Sequence, residues 1–391
     1  LFDGVSARSA ERGDGSRWTI TCERDGGAAL TLDAPWIVDA TGRHGLLARA
    51  WREPDRSTTT LALVRRWRRP GGWPGAYAGQ TLVESYDEGW AWSVPLSDEA
   101  RCFTVMVDHR TSEFAGGDLA ALLDAELGKA PHLLALLEGA APDGDAWACP
   151  ASLYTSSRFA ESGLLLVGDA GSFIDPLSSY GVKKALASGW LGAVAVHTAL
   201  IDPAMTDEAL AFFDARERDV YRQYRRASAA FFQGAAEVYG TPYWRSRAEA
   251  ALSAGAGTTL PSGTRADPDD VPFPGDADVP EGEVRAAFEV LKSLPTLAAV
   301  PGPDLRTRRR AAIEGLRIVR TDHLATDVHP AGLRYVRGVS LLRVLELAER
   351  HTDPAGLWQA YNQVAPPVSL PDFLTALSTA FAAGILVHRD R

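Results

Sequence analysis

The stretch GLLLVGDAGSFIDPLSSYGVKKALASGWLGAVAVHTA, residues 163–199, decides the fold of this chain. Leu164 to Val167 is an apolar run that predicts a buried strand. Gly168 lets the chain leave the sheet closely, and Asp169 offers a carboxylate to ligand hydroxyls. A helix predicted to begin near Gly181 directs unpaired N–H groups and the positive end of its dipole at the loop before it. The order strand, turn, loop and helix therefore predicts a binding site.

The turn and the loop resemble part of a flavin site. Gly168-Asp169-Ala170 followed by Pro176 and Gly181 is similar to the second flavin-binding motif of the FAD-dependent aromatic monooxygenases and halogenases. The resemblance implies an α/β fold with a Rossmann-like FAD-binding domain of the glutathione-reductase type. It assigns FAD to these residues and to Val182, with a ribityl hydroxyl at Asp169 and the reduced flavin ring at the helix start.

A second contact with FAD is expected at the end of another strand. Pro35 to Asp39 reads as a strand that ends in Ala40-Thr41-Gly42. This ending resembles the place where the superfamily's backbone approaches the adenine side of FAD, which makes Thr41 and Gly42 cofactor-binding residues; a plain strand-to-loop turn is the alternative. The chain contains no strand followed by G-x-G-x-x-G, the phosphate loop of such domains. The resemblance therefore implies that the FAD domain is incomplete here and that its phosphate loop belongs to a region absent from this chain. The lysine that family halogenases use is also absent from this chain.

Two further motifs resemble those of flavin-dependent halogenases. GWAWSVP, residues 89–95, is similar to their W-x-W-x-I-P signature, and FIDPLSSYG, residues 173–181, matches their F-x-x-P-x-x-S-x-G pattern. Trp90 and Trp92 are two apart on a predicted strand, so both side chains face one side of the sheet. The resemblance places them beside the flavin as catalytic residues, whereas core packing of the sheet is the alternative.

The serines of the second motif indicate the type of reaction. Ser179 fits the family serine beside the flavin. In tryptophan halogenases a glutamate precedes that serine, but here the residue is Ser178, whose hydroxyl is a weak base. Asp175 could substitute as the carboxylate, although an Asp before Pro176 more often forms a turn.

Other charged or polar residues are expected to have structural roles. His44 is expected to anchor its loop and His197 to be a satisfied core histidine. Solvent exposure is the first expectation for Lys183 and Lys184, with a ligand phosphate or a carboxylate partner as alternatives. Solvated arginines are predicted at Arg222, Arg225 and Arg226, and an exposed helical face is predicted for Arg306, Arg308, Arg309 and Arg310.

Composition and charge argue against several classes of partner and site. The 391 residues are 46% hydrophobic, with 40 basic and 50 acidic residues and a net charge of −10. That balance argues against nucleic-acid and anionic-membrane partners. The three cysteines are too few and too dispersed for a disulfide framework or a zinc site, so a reducing cytoplasm is expected. The apolar helix at 185–200 is too short to span a bilayer and is expected to be a core helix.

The chain is expected to contain several domains. Residues 1–50 and 150–200 are assigned to the partial FAD-binding domain and 51–149 to an antiparallel-sheet substrate domain. Residues 201–260 are assigned to long helices, 261–285 to a linker and 286–391 to a small helical, winged-helix-like domain. The predicted strands of the substrate domain are 60–67, 80–85, 89–95 and 101–108, followed by a helical segment at 117–139 that Pro131 interrupts.

Three functions follow from these residues and the resemblance. The first is FAD-dependent oxygenation of an aromatic small molecule or peptide of indole or phenol type. It would use reduced flavin, O2 and either a flavin reductase or NAD(P)H as the electron source. Ser178 in place of the glutamate favours this function slightly over the second, halogenation of an aromatic ring. The third is a non-catalytic flavoprotein fragment that binds a partner.

Overall fold

The computed structural model describes residues 1–13, 17–108, 118–253, 279–294 and 296–389. They form two compact units, each of which is discontinuous in the sequence. One contains the described residues of Leu1–Val196 and Leu210–Thr264, and the other contains those of His197–Ala209 and Arg265–Arg391. The division falls inside two long helices, so neither helix belongs wholly to one unit.

The first unit contains most of the β structure. Its strands are β1 Val5–Arg12, β2 Trp18–Arg24, β3 Ala29–Ala34, β4 Ile37–Asp39, β5 Arg52–Pro54, β6 Leu61–Arg68, β7 Leu82–Tyr86, β8 Gly89–Pro95, β9 Ala100–Val107, β10 Ala141–Pro142, β11 Trp147–Pro150, β12 Tyr154–Ser156, β13 Ala160–Glu161 and β14 Leu164–Leu166. Its helices are α1 Leu119–Leu127, α2 Pro131–Leu136, most of α3 Gly181–Ile201 and α4 Thr206–Tyr239, and α5 Pro242–Ser253.

The largest sheet is antiparallel, in the order β10-β6-β9-β8-β7, with β11 also paired to β6. Side chains alternate along its strands, so that Leu63 and Phe103 pack with α1 and α2 while Trp90 and Met106 pack with α4 and α5. The four predicted strands are confirmed. So is the helical segment after them, in which Pro131 begins α2, although Gly117 lies outside the described residues.

A smaller sheet in the order β13-β14-β4 positions the predicted site. Strand β14 is fully buried and runs parallel to β4, while the other edge of β4 has no partner strand among the described residues. The sequence predicts a hairpin with strands at 18–24 and 28–32, which is confirmed as β2 and β3, and β1 adds a third strand that the sequence did not indicate.

Helix α3 is longer than the segment 185–200 that the apolar pattern delimited. It runs over 21 residues and could cross a membrane by length and composition alone, so the prediction that it is too short was wrong. Of the 18 residues in its most apolar stretch, 44% are buried. A side chain at Gly192 would lie 3.0 Å from Val167, which shows how closely the helix packs on the end of β14.

The second unit combines helices with short strands. Its elements from residue 279 onward are α6 Glu281–Ser293, β15 Ala299–Pro301, β16 Arg306–Glu314, β17 Arg317–Ala325, β18 Tyr335–Val336, β19 Val339–Ser340, α7 Leu341–Ala348, α8 Pro354–Val364, α9 Leu370–Ala382 and β20 Leu386–His388. The last three helices and the final strand match the segments that the sequence predicts at 341–350, 356–364, 369–383 and 385–388. Helix α6 begins inside the predicted linker, whose residues up to 278 lie outside the described part of the chain.

The arginine run at 306–310 was wrongly predicted to be helical. It lies in β16, which pairs along its whole length with β17 across a turn at Gly315. Gly315 has a φ of +60°, which suits the tight turn between the two strands. A run of arginines has no apolar periodicity, so the local sequence could not distinguish a helix from a strand whose partner follows the turn.

Candidate functional site

The two segments assigned to FAD lie side by side. In the parallel pair, Leu166 of β14 is opposite Asp39 of β4, and the N–H of Val167 donates to the carbonyl of Asp39 at 3.0 Å. Both strands therefore end at the same edge of the sheet, where the 3-10 turns Gly42–His44 and Gly168–Ala170 follow. Ligands of α/β sheets bind outside the carboxyl ends of the strands, so this is the expected position of a ligand.

Asp169 contributes an acceptor that the described protein atoms leave unused. Its Oδ1 is buried and has no hydrogen-bond partner, and the Nζ of Lys184 lies 3.9 Å away. Burial raises the pKa of the Asp169 carboxyl, and the charges of Lys184 and Arg43 oppose that rise. A buried acceptor without a donor is costly unless a ligand supplies one. The residues therefore fit the hydroxyl-rich ribityl chain of FAD.

The Ala-Thr-Gly ending of β4 is organised by Asp39. The Asp39 carboxylate accepts the hydroxyl of Thr41 at 2.5 Å and the N–H groups of Leu47 and Ala48. Because the hydroxyl of Thr41 is bonded inside the turn, Thr41 can approach a ligand with its backbone and not with its hydroxyl. Gly42 adopts a φ of +64° with open space around its Cα, which suits such an approach.

A layer of aromatic rings and guanidinium groups connects the two turns. The guanidinium of Arg43 lies 4.6 Å from the ring centroid of Phe173, which stacks on Tyr154 at 5.9 Å. Arg52 covers Tyr154 at 4.0 Å, and the Tyr154 hydroxyl donates to the carbonyl of Asp169 at 2.5 Å. Arg43, Arg52 and Tyr154 were not predicted as site residues, because only the fold brings them close to the Gly168–Ala170 turn.

The loop before α3 is held by Asp175. Its carboxylate accepts the N–H of Leu177 at 2.9 Å and caps the 3-10 turn Pro176–Ser178, which is the turn-forming role that was expected. Burial raises the pKa of Asp175, and the Leu177 N–H and the charges of Arg247 and Arg225 oppose this. Asp175 therefore holds the loop in its turn, and the cations of Arg225 and Arg247 act on its charge.

Ser178 and Ser179 differ in their surroundings. Ser178 is buried and its hydroxyl donates to the carbonyl of Asp175 at 2.7 Å, so the hydroxyl is part of the turn. Ser179 is exposed, has a φ of +57° and donates its N–H to the carbonyl of Pro176 at 2.9 Å. Helix α3 begins two residues later, so the positive end of its dipole lies beside Ser179.

Two other residues predicted to bind the cofactor differ in exposure: Ala170 is buried and Val182 is exposed.

Trp90 and Trp92 face the same side of the sheet, as predicted. Their ring centroids lie 4.9 Å apart, with Trp90 buried and Trp92 half-buried. Both belong to a cluster that includes Phe232 and Trp244 of the neighbouring helices together with Phe173 and Leu177 of the loop. The tryptophans therefore form part of a core, and that core connects the sheet to the loop of the candidate site.

Three predictions of side-chain exposure were wrong: two side chains expected in solvent are buried, and one expected in the core is exposed. Lys184 is buried, unlike the exposed Lys183, because position 184 on α3 faces the carbonyl groups of the Gly168 turn. Arg225 is also buried, and it forms an ion pair with Asp55. His197, predicted in the core, is exposed, and its Nδ1 lies 2.9 Å from the carbonyl of Leu316.

Comparison with known proteins identifies similar chains. Residues 12–260 match the family model described as tryptophan halogenase. The flavin-dependent halogenase armH3 of Armillaria mellea is 29% identical over 214 residues, covering 48% of this chain and 42% of the relative. The tryptophan 2-halogenase of Chondromyces crocatus is 26% identical over 246 residues, covering 60% and 46%. The chain thus spans less than half the length of these curated relatives.

Solved structures show a similar fold. The flavin-dependent halogenase CmlS has a TM-score of 0.68 at 22% identity, with 98% of this chain and 73% of that chain covered. QhpG, a peptidyl tryptophan dihydroxylase essential for tryptophylquinone cofactor biogenesis, has a TM-score of 0.61 at 20% identity, with 97% and 74% covered. At these identities the similarity establishes the fold, which extends over nearly the whole chain.

Proposed function

Because this chain belongs to the tryptophan halogenase family, whose members are FAD-dependent oxidoreductases, we propose that the protein uses reduced FAD and O2 to oxidise an aromatic substrate. One observation carries the proposal. The parallel strand ends place the Thr41–Gly42 turn beside the Gly168–Asp169 turn, where a buried carboxylate oxygen lacks a donor. FAD, when bound there, supplies the redox chemistry that activates O2.

The chain's own residues bind and enclose the cofactor. Asp169 would accept a ribityl hydroxyl, and the backbone at Gly42 would approach the adenine side. The start of α3 at Gly181 would stabilise negative charge on the reduced ring. Trp90 and Trp92 would keep water from the space between the sheet and the loop.

Oxygen insertion into an indole or phenol-type ring is our first candidate reaction. The observation that favours it is the hydroxyl of Ser178, which donates to the Asp175 carbonyl and replaces the glutamate of tryptophan halogenases. Asp175 caps its own loop, so neither residue resembles a free carboxylate aimed at substrate. The substrate is an aromatic small molecule or an aromatic side chain in a peptide.

Halogenation is the second candidate reaction. It is supported by the curated relatives, which include the flavin-dependent halogenase of Armillaria mellea and the tryptophan 2-halogenase of Chondromyces crocatus. The fold does not separate the two reactions, since the chain shares it with a halogenase and with a dihydroxylase.

The domain organisation is part of the proposal. Residues 1–50 and 150–200 would form the second part of a Rossmann-like FAD domain, completed by an upstream phosphate-loop segment. Residues 51–149 would form the substrate domain, 201–260 the supporting helices, 261–285 a linker and 286–391 a winged-helix-like domain. In that last domain α9 carries Asp372 and no Lys or Arg, which favours a protein or peptide contact over DNA. A flavin reductase or NAD(P)H would supply electrons in the cytoplasm.

A mass assay of the full-length protein tests the proposed function. The protein is supplied with FAD, a flavin reductase, NADH and O2, with or without bromide, and a panel of indoles, phenols and tryptophan peptides. Oxygen addition that does not depend on bromide is the expected result. A bromide-dependent mass gain would establish halogenation instead. A full-length protein that binds no FAD would overturn both reactions and leave a partner-binding role.

A further inference from the structure

We propose that Lys184 is a positioning residue for the cofactor: its buried ammonium group holds the Gly168–Ser172 turn and keeps the Asp169 carboxylate ready to accept a flavin hydroxyl. This inference rests on the proposed FAD site and names a residue that the sequence motif does not include. Lys184 does not contact substrate in this scheme; it acts through Asp169.

Side chains on one face of α3 form hydrogen bonds with the peptide groups on both sides of Gly168. The Nζ of Lys184 donates to the carbonyl of Gly168 at 2.9 Å and to the carbonyl of Ser172 at 2.5 Å. One helical turn later, the Oγ of Ser188 accepts the N–H of Gly168 at 3.0 Å. Residues four apart share a helix face, so Lys184 and Ser188 together fix the peptide groups on both sides of Gly168.

Two carboxyl groups act on the ammonium group. Asp169 Oδ1 lies 3.9 Å from Nζ, and the buried Glu217 of α4 also acts electrostatically on Lys184. An ammonium group has three donors, and the two carbonyls account for two of them. The other charged groups that act on these carboxylates are Arg43 on Asp169 and Arg216 on Glu217.

The charges of Lys184 and Asp169 support each other. Burial lowers the pKa of Lys184 and raises that of Asp169, so each group is costly to keep charged without the other. Lys184 therefore favours the ionised form of Asp169, and an ionised carboxylate accepts stronger hydrogen bonds than a neutral one. Removing the ammonium should weaken hydroxyl binding at Asp169, even where the turn itself still forms.

Two matched variants of the full-length protein test the proposal. Lys184→Met removes the buried ammonium, and Lys183→Met makes the same change at the exposed neighbouring position. The FAD dissociation constant is measured by flavin fluorescence between pH 5.5 and 8.5. Lys184→Met is expected to weaken binding about tenfold or more at neutral pH. It should also move the acidic loss of affinity to higher pH, because Asp169 then protonates more easily. Lys183→Met should change neither quantity by more than about twofold.

A double variant separates positioning from folding. Lys184→Met with Glu217→Gln removes the buried ammonium and the charge of the Glu217 carboxyl that acts on it, so it should recover much of the thermal stability lost by Lys184→Met. FAD binding should stay weak in the double variant. Wild-type affinity and pH dependence in Lys184→Met, or their recovery in the double variant, would overturn the positioning role. A wild-type protein that binds no FAD would instead overturn the proposed function itself.

Discussion

Ser179 lies in the loop of the candidate site and has an unfavourable backbone conformation. Its φ of +57° is sterically costly for a residue with a side chain, and glycine adopts it freely. We predict that Ser179→Gly leaves the free energy of unfolding unchanged or raises it by up to about 1 kcal/mol, whereas Ser179→Val lowers it by about 1 kcal/mol or more. Thermal unfolding monitored by circular dichroism measures both. If Ser179→Gly proved the less stable of the two, the left-handed conformation would not be a cost at this position.

Glu217 should make stability depend on pH. Burial raises the pKa of its carboxyl to about 7 from an ordinary 4.5. The folded state then binds a proton more tightly than the unfolded chain, so stability falls as pH rises from 4.5 to 7. Glu217→Gln cannot titrate. Its stability relative to wild type should therefore increase over that window, by up to about 3 kcal/mol, and stay level above it.

Urea unfolding at several pH values measures the effect of Glu217→Gln. The exposed Glu237 on the same helix provides the control, and Glu237→Gln should follow the wild-type pH curve. Parallel curves for Glu217→Gln and wild type between pH 4.5 and 7 would contradict the raised pKa.

Among the helices, α4 depends on a buried ion pair. Arg225 forms an ion pair with Asp55 and donates to the carbonyl of Ala250 of α5 at 2.8 Å. Arg225→Met should lower the free energy of unfolding by about 3 kcal/mol, because Asp55 is left buried without its cation. Three residues away, Arg222→Met removes an exposed pair with Asp219 and should cost under about 1 kcal/mol. Equal losses in urea unfolding would show that the Arg225 pair is no stronger than a surface pair.

Elements with a local signal could be predicted from the sequence. Neighbouring residues encode strand β14, the Gly168–Asp169 turn and the start of α3. Because these elements follow one another along the chain, the sequence also predicts where the site lies. Burial of Lys184 could not be predicted, because the carbonyls that hold it are brought to α3 only by the packed sheet. The same holds for β16, whose arginines become a strand through pairing with β17.

At the scale of the whole protein, one face of α3 is apolar and uncovered. Val182, Leu186 and Trp190 recur at four-residue steps and are 74%, 71% and 43% exposed. Val38 is 44% exposed and lies on β4, one edge of which has no partner strand in the part of the chain that the structure describes. Exposed apolar stripes and open strand edges are normally covered by another segment. In a form of the protein that carries the phosphate-loop segment of the proposed function, here called full-length, we expect that segment to cover this face.

That expectation predicts opposite effects of one substitution in two forms of the protein. In the 391-residue chain, Leu186→Lys should raise solubility, because it breaks the exposed stripe. In the full-length protein it should lower the free energy of unfolding by about 2 kcal/mol or more and weaken FAD binding, because Leu186 is then buried. Leu96→Lys, at a leucine that is 55% exposed outside the stripe, should have little effect on full-length stability. Chemical unfolding and sedimentation of both forms measure these changes, and an unchanged full-length stability in Leu186→Lys would mean that the upstream segment does not pack on α3.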